Sequence, residues 1–217
     1  MRSLVIGASG GIGAALVVAC GDGAVGLSRR VDGLDVTDAE AVARVMGALE
    51  GTFDRIIVAT GALVIAGQGP EKSLKSLDSA ALAAQFALNA VGPMLVLKHA
   101  LRLMPKDRPV RFGVMSARVG SIGDNSLGGW YSYRTAKAAL NQLLHTAAIE
   151  VARSHPQAVL ALLHPGTVDT AFTAAYQPAY QKLTPAQSAT GLLAVLDKLT
   201  PAQSGGFFDV QGQVVPW

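Results

Sequence analysis

Short apolar runs alternate with longer stretches of helical pattern along this chain of 217 residues. This alternation constrains the fold most, because it predicts an α/β three-layer αβα sandwich with a mostly parallel sheet of about seven strands. The predicted strands are Ser3–Ile6, Ala24–Leu27, Leu34–Val36, Arg55–Ala59, Val110–Met115, Val159–Leu163 and Gly206–Asp209. The predicted helices are Gly11–Ala19, Ala39–Leu49, Ser79–Met104, Tyr131–Arg153 and Pro185–Leu199, the last capped by Thr184.

Composition and charge argue against several classes of function. Half of the residues are apolar and no repeat or linker stands out, so we expect a single domain over residues 1–217. The net charge of +3 comes from scattered lysines and arginines rather than from a patch, which argues against nucleic acid as a partner. Cys20 is the only cysteine, so it cannot form an intramolecular disulfide and a cytoplasmic location is expected.

Two apolar segments resemble export or membrane signals only superficially. Near the N-terminus, the glycines between Gly7 and Gly13 interrupt the apolar stretch, which argues against an export signal. The uncharged run from Ser79 to Leu97 contains Gln85 and Asn89, so it is typical of a buried helix rather than of a membrane span. We therefore expect no membrane partner.

A glycine-rich turn follows the first predicted strand, with glycines at Gly7, Gly11 and Gly13. Backbone N–H groups and the helix dipole at such a turn face a bound pyrophosphate, and a Cβ there would block the close approach of the phosphate. The spacing differs from the G-x-G-x-x-G pattern of dinucleotide-binding proteins. A nucleotide site and a glycine-rich turn without a ligand both remain open at this point.

The end of the second predicted strand carries Ser28-Arg29-Arg30. A carboxylate at this place holds the ribose 2′-hydroxyl of NAD, whereas an arginine accommodates a 2′-phosphate. No acid occupies the strand end itself, so the sequence favours NADP(H) over NAD(H), with Arg29 as the preferred contact. Further along, Asp35-Val36 could contact the adenine. The alternatives are solvated surface arginines and a turn aspartate before the next helix.

Tyr133 and Lys137 lie four residues apart on one predicted helix, and this spacing places both side chains on the same face. A nearby ammonium and the positive nicotinamide ring of a bound cofactor are expected to lower the pKa of Tyr133 from its usual value of about 10, which suits a general acid or base. The spacing alone is also that of an ordinary tyrosine and lysine on a half-buried helix.

Two further polar residues are placed to assist this chemistry. Ser116 ends the strand Val110–Met115, where its hydroxyl could stabilise charge on a substrate oxygen, although it could equally be an ordinary strand-end serine. Asn89 lies in a strongly apolar helix, where its amide must find partners. It could hold a water linked to Lys137 or bridge two backbone groups.

Two irregular stretches, Ala62–Leu77 and Gly166–Lys182, follow predicted strands. Open α/β sheets bind ligands at the carboxyl ends of their strands, so we expect both stretches to line the site. Their apolar and aromatic side chains suit an apolar or aromatic ligand, or they pack in the core or at a subunit interface; the residues concerned are Leu63, Phe172, Tyr176 and Tyr180.

Together these motifs resemble the classical short-chain dehydrogenase/reductase family. The glycine motif of that family matches Gly7–Gly13, its adenine motif matches Asp35-Val36 and its helix asparagine matches Asn89. Its active-site motif matches Tyr133–Lys137. The segment that holds the nicotinamide carboxamide matches His164–Thr170. Within the family, the chain is similar to the C-factor and sniffer-like carbonyl reductases.

That branch resemblance rests on Ser116–Ile122, Gly128–Arg134 and Gly212–Trp217. It implies a Rossmann-type fold, a homodimer or homotetramer, no metal, and catalysis by Asn89, Ser116, Tyr133 and Lys137. The cofactor-binding residues that it implies are Gly7, Ser9, Gly11, Ile12, Gly13, Ser28, Arg29, Asp35, Val36, Ala59, Thr60, Gly61, Tyr133, Lys137, Pro165, Gly166, Val168 and Thr170.

The chain departs from the family pattern at two places. The usual Ser-Ser pair, of which the second serine is catalytic, is replaced by Ser116-Ala117, which leaves Ser116 as first choice and Ser121 as second. The usual Asn-Asn-Ala-Gly is replaced by Val58–Gly61. The expected function is NADPH-dependent reduction of a small ketone or aldehyde with Tyr133 as proton donor. A nucleotide-binding regulatory or signalling protein with little turnover is the alternative.

Overall fold

Six parallel strands form one sheet in the computed structural model, which describes residues 1–174 and 181–217. The strands lie in the order β2-β1-β3-β4-β5-β6, and all neighbouring pairs are parallel. Their bounds are β1 Ser3–Ile6, β2 Ala24–Leu27, β3 Arg55–Val58, β4 Val110–Met115, β5 Ala158–His164 and β6 Phe207–Asp209. The predicted parallel sheet is therefore confirmed, with six strands in the described part of the chain.

The prediction of a strand at Leu34–Val36 is wrong. Leu34 and Val36 are buried as a strand prediction requires, but the backbone turns from Asp35 to Asp38, where the Asp38 N–H donates to the Asp35 carbonyl. The carboxylate of Asp35 accepts hydrogen bonds from the backbone N–H and the hydroxyl of Thr37, at 2.9 and 2.6 Å. This local side-chain turn competes with strand pairing.

The helices agree with the prediction to within two residues at most ends. Pro185–Lys198 begins as expected, because the Thr184 hydroxyl accepts from the Gln187 N–H and Pro185 occupies the first turn. A short helix at Arg29–Asp32 was not predicted. The helices are α1 Gly11–Cys20, α2 Arg29–Asp32, α3 Ala39–Gly47, α4 Ser79–Phe86, α5 Gly92–Ala100, α6 Tyr131–Val151 and α7 Pro185–Lys198.

The long helix predicted at Ser79–Met104 is one continuous helical segment with an irregular middle. A π-helical turn, Ala87–Val91, joins α4 to α5, and a 3₁₀ turn ends the segment at Leu101–Leu103. The segment Ser79–Leu103 is long and apolar enough to cross a bilayer by length and composition. Its residues Val96 and Leu97 instead belong to the core beneath the sheet, as in a core helix.

Both faces of the sheet are covered. On one face, β-strand residues such as Leu4 and Ile56 pack with side chains of α3, α5 and α6. On the other face, Val5 and Ile57 pack with side chains of α1 and α7. The two clusters alternate residue by residue along each strand, which is the pattern of a parallel sheet buried between two helical layers. The predicted three-layer sandwich is confirmed, and the carboxyl ends of its strands share one edge.

Candidate active site

A cavity of about 700 Å³ lies at the carboxyl edge of the sheet, where β1, β3, β4 and β5 end. The structure brings thirteen of the predicted site residues to its lining: Gly11, Ile12, Gly13, Ala59, Thr60, Gly61, Ser116, Tyr133, Lys137, Pro165, Gly166, Val168 and Thr170. The predicted residues outside this lining are Gly7, Ser9, Ser28, Arg29, Asp35, Val36 and Asn89.

The glycine turn closes one end of the cavity. A Cβ added to Gly13 would lie 2.0 Å from the Gly7 carbonyl oxygen, so α1 packs on the turn only because Gly13 lacks a side chain. Gly7 has a φ of +91°, and a Cβ there would lie 2.9 Å from the Ala59 backbone. The helix begins after Gly10, without a side-chain cap and without an acid in its first turn. Its first N–H groups are therefore available to an anion, which fits the phosphates of a dinucleotide.

Gly61 lies between two predicted catalytic residues. A Cβ added there would stand 2.8 Å from Asn89 Oδ1 and 3.6 Å from Lys137 Nζ. The side chain of Asn89 is fully buried and brackets the peptide of Ala62, since Oδ1 accepts from the Ala62 N–H and Nδ2 donates to the Ala62 oxygen. The bridging alternative for Asn89 is therefore what the structure shows.

Asn89 occupies the π-helical turn, a feature that is frequent at functional sites. Its Nδ2 also donates to Oε1 of Gln85, at 2.6 Å, and Gln85 in turn donates to the Leu63 carbonyl. From the sequence alone, Gln85 is only a polar residue in an apolar run. Its spacing of one helical turn from Asn89 is the signal that could have identified it.

Tyr133 and Lys137 both line the cavity, in agreement with the shared helix face that their spacing predicted, and both are buried. Lys137 Nζ lies 5.8 Å from the centre of the Tyr133 ring and donates to the Met115 carbonyl at 2.9 Å, which ties α6 to the end of β4. Burial raises the pKa of Tyr133 above its usual range and lowers the pKa of Lys137 to about 7.

The expectation that Lys137 lowers the pKa of Tyr133 is therefore not met by the protein groups alone. Desolvation outweighs the attraction between the two side chains, because neither reaches bulk water. Tyr133 is held as a neutral phenol, which is the form that can donate a proton.

The hydroxyl of Ser116 is hydrogen-bonded to a residue outside the cavity lining. It is buried and donates to Asn141 Oδ1 at 2.6 Å, and Asn141 itself donates to the Gly120 carbonyl. The second choice, Ser121, accepts from the Asp124 N–H and is absent from the lining. Ala117, in contrast, lines the cavity. Ser116 therefore lines the cavity with its hydroxyl donated to Asn141, and Ala117 has no hydroxyl. Asn141 is a partner that the sequence did not reveal.

The end of β2 carries a carboxylate and a helix cap that the sequence did not reveal. Ser28 is buried and caps α2 by accepting from the Val31 N–H. The carboxylate of Asp32, one turn later, folds back to accept from the Ser28 N–H at 2.7 Å. Arg29 is exposed, and its guanidinium lies 3.8 Å from Asp35. Hydrogen bonds from the Thr37 side chain and backbone, aided by Arg29, hold the pKa of Asp35 below its usual value.

The opposite side of the cavity is apolar and aromatic. The Tyr133 ring meets Trp130 edge-on at a centroid distance of 6.3 Å and Phe172 at 6.2 Å. Leu63 and Leu127 complete this wall. Leu63 belongs to one irregular stretch and Phe172 to the other, so both stretches contribute to the lining as predicted. The predicted contacts of Tyr176 and Tyr180 lie outside the described residues.

Comparisons with known proteins identify the family. A family model described as enoyl-(acyl carrier protein) reductase matches residues 22–197. The chain is 32% identical to 1-hydroxy-2-glutathionyl-2-methyl-3-butene dehydrogenase of Rhodococcus sp. (strain AD45), over 85% of this chain and 79% of the relative. It is 37% identical to C-signal of Myxococcus xanthus, over 67% of this chain and 84% of the relative.

Solved structures share the fold over the whole chain. Carbonyl reductase Sniffer of D. melanogaster superposes with a TM-score of 0.83 at 21% identity, and covers 100% of this chain and 99% of its own. A short-chain dehydrogenase/reductase from Burkholderia multivorans, solved with bound NADP, superposes with a TM-score of 0.81 at 25% identity, with the same coverage.

The chain belongs to the short-chain dehydrogenase/reductase family. It is an NAD(P)-dependent oxidoreductase that acts on CH–OH and C=O groups, and its relatives confirm the predicted C-factor and sniffer-like branch.

The pKa of Lys137 leads to a testable pH dependence. The pKa of Lys137 is about 7 in the folded chain and 10.5 in the unfolded chain. At pH values between these two, only the unfolded chain binds this proton, so the free energy of unfolding rises with pH. The slope approaches about 1.4 kcal/mol per pH unit. We predict that Lys137→Met removes this slope between pH 7.5 and 9, measured by urea unfolding. Lys98→Met, at an exposed lysine, is the control, and parallel slopes for wild type and Lys137→Met would contradict the prediction.

Proposed function

We propose that this protein reduces small apolar ketones and aldehydes with NADPH, and oxidises the alcohols in reverse. The observation that carries the proposal is the neutral, buried phenol of Tyr133, which lies between an apolar wall and the glycine turn in one cavity. The phenol supplies a proton donor, the wall favours an apolar substrate, and the turn fits a dinucleotide phosphate.

The residues that would hold the cofactor extend from the glycine turn to the floor of the cavity. Gly11, Ile12 and Gly13 would bind the phosphates through N–H groups at the start of α1, and Arg29 would face a ribose 2′-phosphate. Val168 and Thr170 would contact the nicotinamide end. When bound, NADPH supplies the hydride. The preference for NADPH is supported by the exposed Arg29 and by the NADP that the similar Burkholderia structure holds.

Tyr133 would donate its proton to the carbonyl oxygen as the carbonyl carbon becomes an alcohol carbon. Burial keeps the hydroxyl protonated at neutral pH, and the developing negative charge on the substrate oxygen draws the proton across. Lys137, with a pKa of about 7, can supply or accept a proton nearby and stabilises the phenolate that is left. Asn89 would position a water between Lys137 and the peptide of Ala62.

The substrate would lie against the apolar wall. Trp130 and Phe172 both line the cavity and both contact the Tyr133 ring, so a carbonyl that reaches the phenol lies near aromatic side chains. Leu127 is 90% exposed at the rim, and its contact with a substrate would remove that apolar surface from water. Apolar and aromatic carbonyl compounds fit this arrangement best.

The active form would be a homodimer or homotetramer. A shallow apolar depression between α4 and α6 is lined by Leu82, Phe86 and Thr135 among others, and Phe86 is 43% exposed. An apolar patch of this kind on the outer side of the catalytic helix suits pairing with a second copy.

A regulatory or signalling protein with little turnover is the second candidate. Two observations favour it: Ala117 places no hydroxyl in the cavity, and the hydroxyl of Ser116 is committed to Asn141. The similarity to C-signal is in line with this candidate. Tight NADPH binding without oxidation of the cofactor by any member of a carbonyl panel would support it over the enzyme.

Tyr133→Phe tests the proposed mechanism directly. The variant keeps the ring and its contacts with Trp130 and Phe172 but removes the proton donor. We predict a loss of kcat of about a hundredfold or more, with the NADPH dissociation constant within about twofold of wild type. Steady-state oxidation of NADPH and fluorescence titration measure the two quantities. A kcat similar to that of wild type would contradict the assignment of Tyr133 as the proton donor.

Arg29→Asp tests the cofactor preference. Removing a charged hydrogen-bond donor from a phosphate costs about 1.5–3 kcal/mol, so NADPH binding should weaken at least about tenfold while NADH binding is unchanged or improved. Lys98→Asp makes the same change of charge at an exposed site on α5 and serves as the control. Equal weakening by both variants would show a general charge effect and contradict a specific contact.

Ala117→Ser tests whether the missing hydroxyl limits turnover. A serine at a cavity-lining position adds a donor for the substrate oxygen, and one well-placed donor is worth about a hundredfold to a thousandfold. We predict a rise in kcat of about tenfold, whereas Ser116→Ala should change kcat less than about threefold because its hydroxyl serves Asn141. A large loss of kcat in Ser116→Ala, with no gain in Ala117→Ser, would restore Ser116 as the catalytic serine.

A further inference from the structure

The catalytic helix α6 begins without a cap of its own. Its N-cap residue, Trp130, has a left-handed backbone with φ +54° and ψ +40°, and its side chain makes no capping hydrogen bond. Gly128 and Gly129 directly before it also have positive φ values, of +64° and +66°. The first N–H groups of a helix need acceptors, and Tyr133 lies in this first turn.

Glu71 supplies the missing acceptors from a distant loop. Its carboxylate oxygen Oε2 accepts from the Ser132 N–H at 3.1 Å and from the Ser132 hydroxyl at 2.9 Å. Its backbone oxygen accepts from the Trp130 N–H at 2.6 Å. Glu71, in the Ala62–Leu77 stretch, therefore holds Trp130 and Ser132. Ser132 directly precedes Tyr133.

The burial of Glu71 is explained by this contact. The residue is only 7% exposed, and Oε1 has no hydrogen-bond partner within the described ranges. Burying such a carboxylate is costly unless an opposite partial charge offsets it, and a helix N-terminus provides one. Burial alone raises the pKa of Glu71, but hydrogen bonds from its own backbone N–H and from the N–H and hydroxyl of Ser132 lower it overall.

The other end of the same loop is anchored in the cofactor region. Ala62 and Leu63 are held by Asn89 and Gln85, directly after Gly61.

Arg134 has a different role from Glu71. It donates to the carbonyls of Gly128 and Gly129 and so fixes the loop that leads into α6. Glu71 instead accepts from N–H groups at the start of the helix.

We propose that Glu71 is a positioning residue: by capping α6 from outside, it sets the place of the Tyr133 hydroxyl relative to the carbonyl substrate. This inference rests on the proposed role of Tyr133. Misplacing a reacting group by about 1 Å costs about a hundredfold in rate, so the first turn of α6 is where a small shift has a large effect.

The test compares Glu71→Ala with two other variants. Glu71→Ala should lower kcat about tenfold or more, with the KM for the carbonyl and the NADPH dissociation constant within about threefold of wild type. Glu71→Gln keeps an oxygen that can accept from the Ser132 N–H, and it should retain kcat within about threefold. Asp38→Ala removes the carboxylate cap of α3, away from the cavity, and should lower Tm without lowering kcat.

Wild-type kcat in Glu71→Ala would overturn the proposal. So would a loss of kcat that Asp38→Ala shares in proportion to its loss of Tm, since that result shows a stability effect only. If Glu71→Ala does not fold, Ser132→Ala decides: it removes one of the two side-chain contacts and should lower kcat about fivefold, and an unchanged kcat overturns the proposal.

Tryptophan fluorescence separates this proposal from the proposed function. Trp130 and Trp217 are the two tryptophans, so a Trp217→Phe background reports on Trp130 alone. In that background, Glu71→Ala should shift the emission of Trp130 and increase its quenching by acrylamide, without any need for turnover. If Tyr133→Phe keeps full activity, the mechanism fails but this readout still reports the cap. An unchanged Trp130 signal in Glu71→Ala overturns the cap itself.

Discussion

The parallel alignment of the six strands is the constraint on which the rest of the structure depends. Since every strand runs in the same direction, the chain leaves the sheet at one edge, and the segments after β1, β3, β4 and β5 meet there. The register of β4 with β5 pairs Met115 with Leu163, which places the start of the Ser116 loop beside the start of the Pro165 loop. Lys137 then joins this edge to α6 through the Met115 carbonyl. Residues far apart in sequence thereby share one cavity.

The sequence predicts most of the fold because its signals are local. Apolar runs, the glycine turn and the Thr184 cap each depend on neighbours within a few residues, and the structure bears them out. The strand at Leu34–Val36 fails for an equally local reason, because a short aspartate turn gives two buried apolar residues without any strand pairing. Apolar spacing alone does not separate these two cases.

The site is less predictable, since its details depend on long-range partners. The position of Ser116 was expected, but the direction of its hydroxyl is set by Asn141, which lies on another element. The sequence gives no sign that the carboxylate of Asp32 returns to the end of β2, where it accepts from the Ser28 N–H. The expected pKa of Tyr133 was wrong in direction for the protein groups alone, because burial of both partners outweighs their proximity. Spacing along a helix predicts which side chains are near each other, and it carries no information on how much water surrounds them.

The external cap on α6 has a consequence for engineering this enzyme. The Ala62–Leu77 stretch is an obvious target for changing substrate preference, since it leaves the sheet beside the cavity and Leu63 lines it. The same stretch carries Glu71, which accepts hydrogen bonds from the Ser132 and Trp130 N–H groups at the start of α6. Grafting a loop from a relative therefore exchanges a helix terminus together with a pocket wall. Loop and helix form a single module, and a chimera that keeps activity needs both parts from the same parent or an acid restored at position 71.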